Sequence, residues 1–183
     1  KNNILFLNNK NPRNLLAKFS TKIFNKKPNN LIGVTGTNGK SSIANFYFQI
    51  LTFNRIKTAS IGTLGVNGLK VKKKFLNTTF DTIKINKILK KLKEKKIENV
   101  ILEASSHGLN QSRLDGLEFD IGIFTNLTRD HLDYHKTFKN YFNSKLILFK
   151  KLLKKKSYAI YDNDLKISSD LNKITRLNKI KKI

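Results

Sequence analysis

The chain has 183 residues, 39% of them hydrophobic, which suits a folded globular domain that buries a substantial core. It contains no cysteine, so disulfides and thiolate metal sites are excluded and a reducing, cytoplasmic setting is expected. A formal charge of +25 favours an anionic partner, yet lysine, asparagine, isoleucine and phenylalanine abound along the whole chain. The densest lysine runs, at 72–74, 90–96 and 150–156, include two that flank helical patterns, where lysines make solvated faces. No apolar run approaches the ~20 residues that span a membrane. No nucleic-acid motif with interleaved aromatics and no internal repeat stands out, so neither nucleic acid nor membrane is expected as a partner.

Residues 2–7 include an apolar run, ILFL, that reads as a strand or a linker. Asn11-Pro12 opens a helical pattern with Leu15, Leu16, Phe19 and Ile23 on one face. A polar connector, 26–30, leads to LIGVTGTNGKSS at 31–42. There 31–34 reads as a buried strand, and 43–51 as a helix. The loop between holds Gly36, Thr37, Asn38 and Gly39, then Lys40, Ser41 and Ser42. Strand, Gly-rich turn, Lys-Ser and helix start make a phosphate-binding loop. It is a variant, because Val34 stands where the first glycine of the strict spacing belongs. Lys40 would reach terminal phosphates and the Ser41 hydroxyl would take Mg²⁺. The plainer alternative is an ordinary Gly-rich βα turn.

Residues 58–61 read as the next strand, ending at Gly62, and Gly65, Gly68 and alternating residues 69–75 suggest a β-hairpin. Asn77, Thr78 and Thr79 form a polar loop, after which Asp81 or Thr82 caps a helix over 83–95. Residues 99–103 (NVILE) are an apolar run that stops at Glu103, which places this carboxylate at the C-terminal edge of a buried parallel strand. Glu103 is then a natural Mg²⁺ ligand, or else a strand-end carboxylate facing solvent. Residues 105–113 look loop-like, 119–125 read as a strand, and a dense polar stretch follows: Asn126, Thr128, Arg129, Asp130, His131. His131 and His135 are four apart, but no H-E-x-x-H completes a zinc site. His131 fits a second Mg²⁺ or a positioning hydrogen bond. Residues 138–153 are helical, with Phe138, Tyr141, Phe142, Leu146 and Phe149 on a face, and 158–161 read as a strand. The tail from 165 shows no clear element. This alternation predicts a mostly parallel α/β sheet with helices on both faces, and three strand ends that carry Lys40/Ser41, Glu103 and Asp130/His131 to one rim.

The runs GVTGTNGKSS, LEASSHGLNQSRLDGLEFDIGIFTNLTRDHLDYH and NYFNSKLILF resemble the central domain of the Mur ligases, most closely the MurE branch, over roughly residues 12–164. The S-S-H-G-L and T-N-L-[ST]-R-D-H-L-D-Y-H runs separate this branch from folylpolyglutamate synthases, which share the T-G-T-N-G-K loop. The resemblance implies residues 1–11 as a linker or the end of an N-terminal UDP-binding domain, 12–183 as the ATP-binding domain, and no C-terminal amino-acid-binding domain. It implies ATP-dependent amide-bond formation through an acyl phosphate, with UDP-N-acetylmuramoyl-dipeptide and an amino acid, diaminopimelate or lysine, as substrates, and a monomer.

By motif position, residues 36–42 would hold ATP, and Asn77, Thr78, Thr79, Ser105, Gln111 and Arg113 the UDP-muramoyl-peptide. Lys145 matches the family's carbamylated lysine, which as an anion would hold a second metal with His131; on sequence alone it is one more surface lysine. Two positions depart from the family pattern: Phe80 replaces the proline of N-T-T-P, and Tyr161 stands where an asparagine near adenine is expected, while Asp164 is retained. The rival expectations are a basic P-loop protein that binds nucleic acid and a non-catalytic remnant.

Overall fold

The computed structural model describes residues 7–69 and 78–183. The expected strand at the N-terminus, the hairpin arm beyond Leu69 and Asn77 lie outside the described residues, Leu7 apart. One seven-stranded sheet runs through the domain: β1 (Asn30–Thr35), β2 (Thr58–Gly62), β3 (Gly65–Asn67), β4 (Asn99–Glu103), β5 (Phe119–Phe124), β6 (Leu153–Tyr161) and β7 (Lys181–Lys182). Their order is β3-β2-β4-β1-β5-β6-β7, and among the described residues only the β2–β3 pair is antiparallel. β1 lies between β4 and β5, so chain leaving β1 crosses one way and chain leaving β4 crosses the other. Such a switch point opens a crevice at the carboxyl ends of the strands.

Residues alternate between the two faces of each strand. On one face Ile32, Val34 and Ile101 meet Ala44 and Tyr47 of α2 (Lys40–Phe53). The other face carries the larger core, to which α3 (Thr82–Glu94) contributes Ile85, Leu89 and Leu92. Leu109 of α4 (Ser106–Asn110), Leu146 of α6 (Phe138–Ile147) and Leu171 of α7 (Ser168–Leu177) join it there. Helices on both faces are therefore as expected. Asp81 caps α3, accepting from the Lys84 N–H at 2.9 Å.

Four expectations are corrected. The buried stripe of α1 (Pro12–Ile23) is Ala17 and Ser20, while Leu16, Phe19 and Ile23 are exposed. Small residues at that spacing let α1 lie close to α3, where the Ser20 hydroxyl donates to Thr82 O at 3.3 Å. The stretch 105–113 is not all loop: Ser105 caps α4 by accepting from the Gly108 N–H at 3.1 Å. The tail folds into α7 and β7, with Leu171 and Ile174 in the core. The helix expected over 138–153 ends as one turn of π-helix, Leu148–Leu152, before β6 begins. The side chain of Leu148 in this turn lies against Gly33 of β1, where an added Cβ would come within 2.8 Å of it.

Candidate nucleotide and metal site

The loop after β1 is fixed from the loop after β5. Thr37 N–H donates to Asn126 O at 3.0 Å, and Asn38 N–H to Asn126 Oδ1 at 2.9 Å. In return Asn38 O accepts from the Thr125 hydroxyl at 2.6 Å. Gly36 has φ +145°, and a Cβ there would strike the Thr125 hydroxyl, so this crossing of loops requires glycine. Gly39, at φ +82°, starts α2 with no side-chain cap. The first-turn N–H groups, including those of Lys40, Ser41 and exposed Ser42, therefore have no intrahelical acceptor, which is the arrangement by which helix N-termini can hold anions.

Lys40 Nζ folds back over the loop, donating to Gly36 O at 3.0 Å and Thr37 O at 2.7 Å. Burial pulls its pKa down, against the pull of Glu103 and Asp130. The Ser41 hydroxyl donates to Glu103 Oε2 at 2.9 Å. Glu103 is 2% exposed and makes no ion pair among the described residues. It does not face solvent as the alternative had it. Its other donors are the Thr63 N–H and hydroxyl, at 2.9 and 3.2 Å. Neutral donors hold the carboxylate directly, while the charge that acts on it, the Lys40 ammonium, bonds to loop carbonyls instead; a hydroxyl beside a carboxylate is a hard-oxygen pair suited to Mg²⁺.

Lys145 is no surface lysine: it is 1% exposed, and its Nζ donates to Gly36 O at 2.6 Å. Burial first, then the charge of Lys40, bring its pKa down to about 7, with Asp130 opposing. The Nζ lies 4.3 Å from the centre of the Tyr141 ring, whose hydroxyl shares a 3.0 Å hydrogen bond with Thr37 Oγ1. Sequence reasoning placed Tyr141 on an apolar face and missed this polar role; nothing in helical spacing signals it.

His131, at φ 52°, precedes the short α5 (Leu132–His135) rather than sharing a helical face with His135. Its ring stands 3.5 Å from Asp130 Oδ2 and is half exposed. The chain's three histidines gather, with ring centres of His107 4.8 Å from His131 and 5.4 Å from His135. Among the described residues, however, no group of three or more His, Asp or Glu is placed to hold a metal.

Beside Glu103, Thr79 is buried, donating to Glu103 O at 2.8 Å and lying 2.9 Å from Ser105 Oγ. The Thr63 and Thr78 hydroxyl oxygens lie 3.0 Å apart. Arg113 donates from Nη1 to Thr79 O at 2.5 Å, and from Nε and Nη2 to Gln111 Oε1 at 3.0 and 2.7 Å. Phe80 is buried in the main core, which anchors this loop by packing where a proline would restrict φ. Tyr161 is also buried, and its hydroxyl donates to Asn172 Oδ1 at 2.7 Å.

An α/β domain with a variant phosphate-binding loop and a buried carboxylate at the switch point is a nucleotide-binding domain of the P-loop type. Residues 34–183 match the Mur ligase middle domain, and the chain belongs to that family. The UDP-N-acetylmuramoyl-L-alanyl-D-glutamate–2,6-diaminopimelate ligase of Rhizobium meliloti (strain 1021) is 42% identical over 149 residues, 81% of this chain and 31% of that protein. The UDP-N-acetylmuramoyl-L-alanyl-D-glutamate–L-lysine ligase of Staphylococcus aureus (strain COL) is 42% identical over 146 residues, 78% of this chain and 30% of that protein. A solved UDP-N-acetylmuramoyl-L-alanyl-D-glutamate–2,6-diaminopimelate ligase superposes with a TM-score of 0.82 at 29% identity, covering 97% of this chain and 37% of the other. The chain spans about a third of the length of the curated relatives it matches.

Proposed function

We propose that this chain is the nucleotide-binding, carboxyl-activating domain of an ATP-dependent ligase. Its reaction adds the third amino acid, diaminopimelate or lysine, to UDP-N-acetylmuramoyl-L-Ala-D-Glu in peptidoglycan synthesis. One observation carries this reading: Lys40, Ser41, Glu103 and Lys145 meet at the carboxyl ends of β1, β4 and β5, with Thr79 bonded to the backbone of Glu103. The names of the relatives supply the substrates; two acceptors at the same identity keep both open.

In this reading the ATP phosphates lie on the N–H groups from Gly36 to Ser42. Lys40, which here donates to the loop carbonyls, would turn to the terminal phosphates and supply the charge that offsets the transferring phosphoryl group. Mg²⁺ held by Ser41 and Glu103 would neutralise phosphate charge. Asn77, Thr78, Thr79, Ser105, Gln111 and Arg113 hold the substrate so that its carboxylate attacks the γ-phosphorus and the β,γ-bridging oxygen leaves with ADP. The amine then adds to the acyl phosphate carbonyl, and phosphate departs. The protein's contribution is positioning and electrostatics.

Lys145 is the group to be carbamylated. Near pH 7 about half of it is neutral, so its lone pair can attack CO₂; the N–C bond forms as a C=O pair moves to oxygen, and the amine loses a proton to water. The anion would stand beside Lys40 and within reach of a metal shared with His131. The domain acts as a cytoplasmic monomer. No helix among the described residues is long and apolar enough to cross a membrane.

Calorimetric titration with a non-hydrolysable ATP analogue and Mg²⁺ tests the reading. Binding is expected in this chain and a loss on the order of 100-fold in Lys40→Ala, since several charge-assisted bonds go. Equal binding by Lys40→Ala overturns it, as does tight, steeply salt-dependent DNA binding by the parent without nucleotide binding.

A further inference from the structure

Thr63, the first residue of the β2–β3 turn, belongs to no motif, yet it holds the most buried anion of the site. Its N–H donates to Glu103 Oε1 at 2.9 Å and its hydroxyl to Oε2 at 3.2 Å, so one residue grips both oxygens of one carboxylate. The grip fixes the carboxylate plane, which a single donor would leave free to rotate. The preceding residue makes room: a Cβ on Gly62 would fall 2.1 Å from Glu103 Oε1. The Thr63 hydroxyl is also 3.0 Å from Thr78 Oγ1, and Thr79, next in the chain, donates to Glu103 O. Turn, carboxylate and substrate loop thus form one closed hydrogen-bonded circuit, which reaches α2 through Ser41.

We propose that Thr63 is a positioning residue that orients the Glu103 carboxylate for the cation shared with Ser41 and ties that orientation to the substrate loop at Thr78. This rests on the reading of Glu103 as a Mg²⁺ ligand. The hydroxyl is the informative atom, because the backbone N–H survives any substitution. Thr63 is exposed, so Thr63→Val exchanges a hydroxyl for a methyl without opening a cavity, and Thr63→Ser keeps the hydroxyl.

The test is a Mn²⁺ titration of the chain with a non-hydrolysable ATP analogue, followed by electron paramagnetic resonance, with urea unfolding of each variant alongside. Thr63→Val is expected to weaken Mn²⁺ about tenfold, the worth of one hydrogen bond to a charged group, while still unfolding in a single cooperative transition. Thr63→Ser should stay within about twofold of the parent. If Glu103→Gln loses Mn²⁺ while Thr63→Val binds it like the parent, the inference about Thr63 falls and the metal reading stands. If Glu103→Gln binds like the parent, or the parent binds no Mn²⁺, both fall. A Thr63→Val loss that Thr63→Ser shares in full makes the effect one of shape and also overturns the proposal.

Discussion

Lys40 and Lys145 donate to the same carbonyl: both Nζ atoms reach Gly36 O, at 3.0 and 2.6 Å. Burial first, and then the charge of the neighbouring Lys40 ammonium, bring the Lys145 amine down to about 7. The phosphate-binding loop thus holds two lysine amines on one carbonyl, and the more deeply buried Lys145 is the one poised between charge states near pH 7.

Lys145 therefore imprints a pH dependence on folding. In the unfolded chain the amine titrates near 10.5, in the folded domain near 7. Between these values the unfolded state binds the extra proton, so stability rises as pH increases from 7 towards 10, and the full cost is present below 7. Lys145→Met keeps much of the volume and removes the titration. Urea unfolding from pH 6 to 9.5 should show a shallower slope and higher stability at pH 6.5 for this variant.

His135 should act at the acid end. It is 4% exposed, its Nε2 has no hydrogen-bond partner among the described residues, and its Nδ1 lies 3.3 Å from Ser144 Oγ. Burial first, then His107, His131 and Lys145, lower its pKa to about 4, against the pull of Asp133. The unfolded chain takes the proton near 6.5, so stability falls as pH drops from 6.5 to 4 and His135 adds nothing further below that. His135→Phe keeps a ring among Tyr134, Tyr141 and His107. It should cost about 1 kcal/mol at pH 7.5 through the lost Ser144 bond, and flatten the decline towards pH 4.5 in guanidinium unfolding.

The parts legible in the sequence are those that one segment specifies alone. The β1 loop, the apolar run ending at Glu103 and the Asp81 cap each carry their own pattern, and each lies where that pattern predicts. What stayed hidden depends on partners distant in sequence. Leu16, Phe19 and Ile23 outnumber Ala17 and Ser20 in apolar area, yet contact with α3 selects the small residues. α4 has five residues with a serine and a glycine, too short for periodicity to register. α7 hides because lysine and asparagine dilute its apolar pair, Leu171 and Ile174. At the site, Lys145 is singled out in the sequence only by the family resemblance; nothing in composition or spacing signals its burial, which depends on Gly36, more than a hundred positions away.

Gly62 marks where the fold makes room for chemistry. Gly62→Ala would place a methyl 2.1 Å from Glu103 Oε1, and a carboxylate bonded to Thr63 and Ser41 has little room to retreat. Overpacking of this kind costs about 1–3 kcal/mol. The variant should unfold earlier in urea and, where still folded, bind Mn²⁺ with the ATP analogue at least tenfold more weakly, on the order of a lost charge-assisted bond. Parent-like Mn²⁺ binding would show that Glu103 does not need its present place.

Arg113 braces the substrate loop and, in the proposed reaction, meets the substrate's anionic end. Its planar fork makes three hydrogen bonds at once, one to Thr79 O and two to Gln111 Oε1, while Gln111 Nε2 donates to Tyr134 OH at 3.1 Å. A lysine carries the charge but not the fork. In a ligase polypeptide containing this domain, Arg113→Ala should raise KM for the UDP-muramoyl-dipeptide on the order of 100-fold, with KM for ATP nearly unchanged. Arg113→Lys should recover only part of the loss, because charge returns without geometry. Steady-state kinetics in both substrates separates the roles: a variant that loses stability while both KM values hold would confine Arg113 to bracing Thr79.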